Sequence, residues 1–204
     1  MTNQKYAIFW LVIILAGLAL FGVGCQAFAS DYEYKGVLLD PPLSLPDFEL
    51  AATDGQPFHL SEVEGDIALI YFGYTFCPDV CPLTMADVRK ALTDLEGQEN
   101  IHVIFISVDP ERDTPEVLDR YVKAFGPAFI GLTDDFEKTQ EVMKAYGAFA
   151  EKEEVPDSAA GYLVSHTARL YLVSPERELL LTYPFGFESE DLRSDLTYLL
   201  QQEN

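Results

Sequence analysis

Basic residues are scarce in this chain. Only 13 Lys and Arg stand against 34 Asp and Glu in 204 residues, a formal charge of −21. The single charged residue before Asp31 is Lys5, so the rest of the chain carries 12 basic residues against 34 acidic ones. Such a surface repels nucleic-acid phosphates and anionic lipid headgroups, which argues against DNA or RNA binding and suits a basic protein partner or a cationic ligand. Tryptophan is nearly absent too: Trp10 is the only one, and it lies far from either candidate cysteine. Internal repeats and low-complexity tracts are missing. Apolar residues are not, at 49% with 13% aromatic, enough for a packed core and unlike a disordered chain.

Residues 6–29 hold no charge, and Gln26 is the strongly polar residue among them. A bilayer-spanning helix needs about 20 such residues, whereas the apolar region of a signal peptide runs about 7–15. Residues 1–30 are therefore expected to form an N-terminal membrane anchor, a single transmembrane helix with Lys5 on the cytoplasmic side. Gly24-Cys25 offers an alternative, since it resembles the end of a bacterial lipoprotein signal, although Gly22 replaces the usual leucine. A cleaved, soluble product is the third option. Each places the remainder outside the cytoplasm of a bacterial-type cell, where a close cysteine pair can be oxidised.

Residues 31–46 are polar and then proline-rich, and read as a tether (31–42) with an extended entry into a domain over 43–204. Beyond it, strand-like runs at 66–74, 101–108 and 129–133 alternate with amphipathic stretches at 82–97, 114–126 and 134–147. Thr114 and Pro115 read as an N-cap followed by the first helical residue. An acidic loop containing Pro156 precedes two strands, 161–175 and 177–185, around a turn at 174–176. A helix over 189–202, capped by Ser189, closes the chain. This order predicts an α/β fold of the thioredoxin-like kind, a central mixed sheet with helices on both faces.

Two of the three cysteines stand in "YFGYTFCPDVCPLT" (71–84). Proline is tolerated in the first turn of a helix but not in its interior, so a helix is expected to begin near Pro82, with Cys81 at its cap and Cys77 in the preceding loop. Both sulfurs then lie by a helix N-terminus, which favours thiolate. A bridge across three residues closes a tiny loop and gains little as a staple. The strand-to-helix junction is also where α/β folds place reactive groups.

Known thiol enzymes fit poorly. Thioredoxin-type reductases use Cys-x-x-Cys after a tryptophan and keep a proline on the facing strand, yet 161–174 contains none. Peroxiredoxin-type enzymes want a threonine three residues before the reactive cysteine, where Tyr74 and Pro78 stand instead. A metal site needs a third ligand. His59 and His102 sit in stretches better read as surface or locally bonded. His166, in "LVSHTARLYL", lies on the strand expected to face the cysteines. Two thiolates and an imidazole form a soft donor set suited to Cu(I) or Zn(II), with Cu(II) also accommodated; Asp79 is the nearest candidate for a fourth ligand.

"CPDVCP" after "YFGYTF", then "SVDPERDTPEVLDRY" (107–121), then "LVSHTARLYLV" (163–173), resembles the Sco/SenC family of copper-handling proteins over about residues 43–202. The resemblance implies a membrane-tethered thioredoxin-like domain that binds copper, as Cu(I) or Cu(II), through Cys77, Cys81 and His166. It further implies a metallochaperone delivering copper to the binuclear copper site of cytochrome c oxidase subunit II or a similar acceptor, working with another copper chaperone or a thiol reductant. Two alternatives stay open on the same dithiol: a thiol–disulfide reductase that keeps the oxidase cysteines reduced, and a copper or redox sensor. Many family members carry an acidic residue before the histidine, where this chain has Ser165. The resemblance also suggests Asp109, in "DPERDTP", as a carboxylate near the copper. The residues themselves read that stretch as a strand-end turn followed by a helix cap.

Overall fold

The computed structural model describes residues 32–155 and 161–202. The expected anchor over residues 1–30, with Cys25, lies outside them. Among the described residues no helix is long and apolar enough to cross a membrane.

Fully apolar runs become central strands because both faces of a sheet flanked by helices are buried. Every residue of β4 (Ile67–Gly73) is buried, and all but His102 in β5 (Ile101–Ser107). These strands pair in parallel, and β5 pairs in parallel with β6 (Phe129–Leu132). On the other side β4 pairs antiparallel with β9 (Arg169–Val173), then comes β10 (Glu178–Pro184), and β1 (Val37–Ser44) forms the edge. The result is a mixed six-stranded sheet ordered β1-β10-β9-β4-β5-β6, of thioredoxin-like type, beside a separate short pair of β2 (Glu49–Ala51) and β3 (Pro57–His59).

Alternate side chains of β4 meet different helices. Tyr71 and its register partner Phe105 face α1 (Val80–Leu92) and α2 (Pro115–Lys123), as the Phe105–Tyr121 ring contact at 5.2 Å shows. Phe72 faces the other way, 5.4 Å from the ring of Tyr146, the cap of α3 (Phe136–Ala145). The closing helix α4 (Ser189–Gln202) packs on α1.

Several expectations shift. The second half of the stretch read as tether (31–42) belongs to β1, which starts at Val37. Its prolines fall where the pairing register with β10 slips, between Leu38 and Leu43, and an edge strand tolerates them there. The helix expected over 82–97 stops at Leu92. The chain turns at Asp94 (φ 56°), while Leu95 still packs inward, so the apolar period outlasts the helix. The strand expected over 161–175 is two strands. β8 (Tyr162–His166) lies outside the central sheet and pairs instead with β7 (Ala150–Glu154), part of the supposed acidic loop.

A candidate metal centre at the end of the central strand

β4 delivers the chain to the C-terminal edge of the sheet, where a tight turn (Cys77 N–H to Tyr74 C=O, 3.3 Å) leads into α1. Asp79 caps this helix, its Oδ1 accepting from the Val80 N–H at 2.6 Å. Cys81 is therefore inside the first turn rather than at the cap, two residues deeper than expected. Pro82 remains comfortable because the first turn's N–H groups have no helical partner in any case. Cys81 is fully buried and Cys77 half-buried, and both are free thiols.

Gly73 makes room for this. A Cβ there would stand 2.7 Å from a ring carbon of Tyr71, 2.9 Å from Phe105 and 3.1 Å from Cys81 Sγ. The glycine lets Cys81 pack against the sheet, within 3.8 Å of the Tyr71 hydroxyl.

The two sulfurs are electrostatically unequal. The neighbouring Cys81 thiol, followed by His166 and the backbone N–H groups of Cys81 and Asp79, outweighs the partial burial of Cys77 and brings its pKa down to about 3. The Cys81 N–H to Cys77 Sγ bond is 3.4 Å. Cys81, holding the proton it shares with Cys77 and buried besides, is pushed well above the ordinary thiol range. The pair is thus polarised, with thiolate favoured on Cys77 and the proton on Cys81.

His166 arrives from β8. Its Nε2 lies 3.5 Å from Cys81 Sγ. The ring is held edge-on by two tyrosines, Tyr71 at 6.0 Å and Tyr74 at 5.8 Å between centroids. Its Nδ1 is buried with no hydrogen-bond partner among the described residues. The two sulfurs and a ring nitrogen of His166 all lie within 4.8 Å of one another. Three donors each about 2.0–2.3 Å from one ion are at most about 4.5 Å apart, so the cluster already has nearly the dimensions of a coordination sphere. Two sulfurs, one of them already a thiolate, and an imidazole nitrogen fit a soft ion.

The other candidates do not join them. Asp79 is occupied by its own helix. His102 pairs with Asp66 (2.8 Å) at the opposite end of the parallel strands, and His59 lies 3.5 Å from Glu49 on the surface. Asp109, suggested as a carboxylate beside the metal, is fully buried and committed elsewhere: one oxygen pairs with Arg112 Nε and the other accepts from the Tyr162 hydroxyl at 2.8 Å. Residues that the sequence reading passed over surround the site, namely Tyr71, Tyr74, Arg112 and Tyr162. The aromatic run before Cys77 was the available signal for the first two.

Beyond geometry, the family model described as SCO1/SenC matches residues 39–201. The chain belongs to the SCO1/SenC family. Yeast (Saccharomyces cerevisiae) protein SCO2, mitochondrial, is 34% identical over 149 residues, covering 72% of this chain and 48% of the yeast protein. The chain spans about half the length of such eukaryotic relatives. Among solved structures, Arabidopsis thaliana ScoI with copper bound superposes with a TM-score of 0.71 at 33% identity, over 78% of this chain and 98% of that one. The apo Sco1 protein from Thermus thermophilus gives 0.71 at 37% identity, over 85% and 99%. The sequence resemblance to this family is thereby confirmed.

Proposed function

We propose that this SCO1/SenC protein binds one copper ion through Cys77, Cys81 and His166 and passes it to the copper site of cytochrome c oxidase subunit II or a similar acceptor. Residues 1–30 would hold the domain to the membrane on the extracytoplasmic side. The observation that carries the reading is the convergence of three soft donors within 4.8 Å, with His166 Nε2 turned toward the sulfurs. The copper-bound Arabidopsis relative supports it.

The chain's own residues fit a carrier rather than a permanent holder. Cys77 meets the cargo as a half-exposed thiolate. Cys81 must give up its proton as the ion is bound, so uptake releases a proton and protonation of Cys81 assists release. Burial makes the Cys81 thiolate costly unless the ion is present. Tyr71 and Tyr74 keep the imidazole oriented.

One observation favours a second reading, thiol–disulfide reduction. Thiolate is favoured on the half-buried cysteine and the proton on the fully buried one. Cys77 can attack a partner disulfide to give a mixed disulfide and release one partner thiolate. Cys81, deprotonated, then displaces the second partner sulfur. The partner gains two electrons and the Cys77–Cys81 pair ends as a disulfide. This route needs both cysteines but not His166.

Oxidase assembly in cells carrying His166→Ala separates the two. The copper reading expects oxidase activity as low as in Cys77→Ser cells. Full activity with His166→Ala would overturn it in favour of the reductase.

A further inference from the structure

The stretch "DPERDTP" is not absorbed by the ligand set, yet it touches both halves of the site. From one side, Asp113 reaches the cysteine loop: its Oδ1 accepts from Thr75 Oγ1 at 2.6 Å and its Oδ2 from the Thr75 N–H at 3.0 Å and Ser107 Oγ at 2.6 Å. Thr75 stands two residues before Cys77. From the other side, Asp109 and Arg112 reach β8. Asp109 accepts from the Tyr162 hydroxyl, and Arg112 Nη1 donates to the Tyr162 carbonyl at 3.0 Å. The Arg112 guanidinium lies 3.7 Å from the Tyr162 ring centroid and 5.1 Å from that of Phe76, beside Cys77. Lys152 on β7 adds an outer tie, paired with Glu111 at 2.5 Å and 4.8 Å above the same Tyr162 ring.

These ties matter because of what they hold. β7 and β8 form a two-stranded sheet separate from the central one, and a lone hairpin is marginal in water. Its seat over the cysteines therefore depends on the short link from His166 to β9 at one end and on these side chains at the other. Tyr162, Val164 and His166 alternate onto one face of β8. Tyr162 and His166 are four residues apart, about 13 Å along the strand. Fixing the first end of that face fixes the lever that carries the imidazole.

We propose that the 109–113 turn is a two-armed bracket whose Arg112–Tyr162 arm sets the position of His166 relative to Cys77 and Cys81. Arg112 and Tyr162 are positioning residues, not ligands. The consequence for copper rests on the function proposed above; the placement of the imidazole does not.

Tyr162→Leu is the cleanest probe, because it removes the ring and hydroxyl but leaves the buried Asp109–Arg112 pair whole. Arg112→Gln removes the other partner and carries more risk of unfolding, since it strands a buried carboxylate. The full-length reduced protein in detergent, labelled with ¹⁵N and ¹³C in histidine only, gives ring signals from just three residues. In the metal-free wild type, the His166 ring shows NOEs to Tyr71 and Tyr74; in Tyr162→Leu these weaken or vanish, with the His102 signals unchanged. Cu(I) affinity falls about tenfold or more, and the double variant Tyr162→Leu/His166→Ala binds no more weakly than His166→Ala alone. Retained NOEs with unchanged affinity, or losses that add in full in the double variant, would overturn the bracket. If NOEs are lost in the variant while the wild type takes up no copper, the bracket stands and the copper function fails.

Discussion

Cys81 Sγ and His166 Nε2 are 3.5 Å apart across 85 residues of sequence. One atom comes from the first turn of α1, the other from a strand outside the central sheet. Neither element depends on the other for its local structure. Their meeting is a property of the whole domain, and a site of this kind is lost when the domain loosens, even with every ligand intact.

The inequality of the two thiols predicts a pH profile. An ordinary cysteine, with a pKa of about 8.5, is alkylated nearly a hundredfold more slowly at pH 6 than at pH 8. Cys77, with its pKa lowered to about 3, is already thiolate across this range. Its iodoacetamide rate in the metal-free reduced protein is expected to be flat from about pH 5 to 8, with Cys81 unmodified. Because the Cys81 thiol is the largest cause of the lowering, Cys81→Ala raises the Cys77 pKa and moves the onset of the plateau to higher pH. Mass spectrometry of peptides alkylated at each pH reads both. A native midpoint near 8 to 9 would contradict the assignment.

Gly73→Ala is expected to damage the site from beneath. The added Cβ meets ring carbons of Tyr71 and Phe105 and the Cys81 sulfur at 2.7–3.1 Å, and all three belong to a packed interior that yields little. Overpacking of this kind costs about 1–3 kcal/mol, visible as a lowered Tm. Copper affinity drops with it, because Cys81 is the atom displaced. An unchanged Tm and affinity would show that the strand accommodates the methyl group by shifting.

Asp195 gives the contrasting case, a buried carboxylate whose loss weakens the fold but not the site. It accepts from the Lys35 and Gly36 N–H groups (3.0 and 2.8 Å) and from the Tyr183 hydroxyl (2.7 Å), tying the start of the domain to α4 and β10. Asp195→Ala leaves these donors without their acceptor and is expected to cost about 2–3 kcal/mol, or roughly 5–10 °C in Tm. Below that Tm copper affinity stays at the wild-type value. A large loss of affinity at low temperature would mean that the edge of the sheet is coupled to the metal site.

Much of this arrangement was legible in the residues. Pro82 confined the helix start to within two residues, and the missing proline in 161–174 drew attention to His166. The fully apolar β4 and the largely apolar β5 announced buried central strands. What escaped has physical causes. β7 reads AEKEE and β1 contains two prolines, so neither shows the apolar alternation that marks a half-buried strand; both are edge-like and exposed. Asp109 was suggested as a carboxylate near the copper by the family resemblance, while the residues themselves read as a strand-end turn. Its actual partners, Arg112 three residues on and Tyr162 53 residues on, appear only when the chain is folded. The proximity of Tyr71 and Tyr74 to His166 likewise depends on β8 standing outside the central sheet, which the chain joins only at Arg169, and no local pattern signals that.

Anaerobic titration of the reduced full-length protein with Cu(I), in competition with a chelator of known affinity, tests the central claim most directly. One equivalent is expected to bind tightly, and Cys77→Ser, Cys81→Ser and His166→Ala are each expected to weaken it by more than the roughly 10–100-fold that follows loss of a residue supporting a ligand. Absence of binding by the reduced wild type, or an affinity indifferent to all three substitutions, would contradict the account.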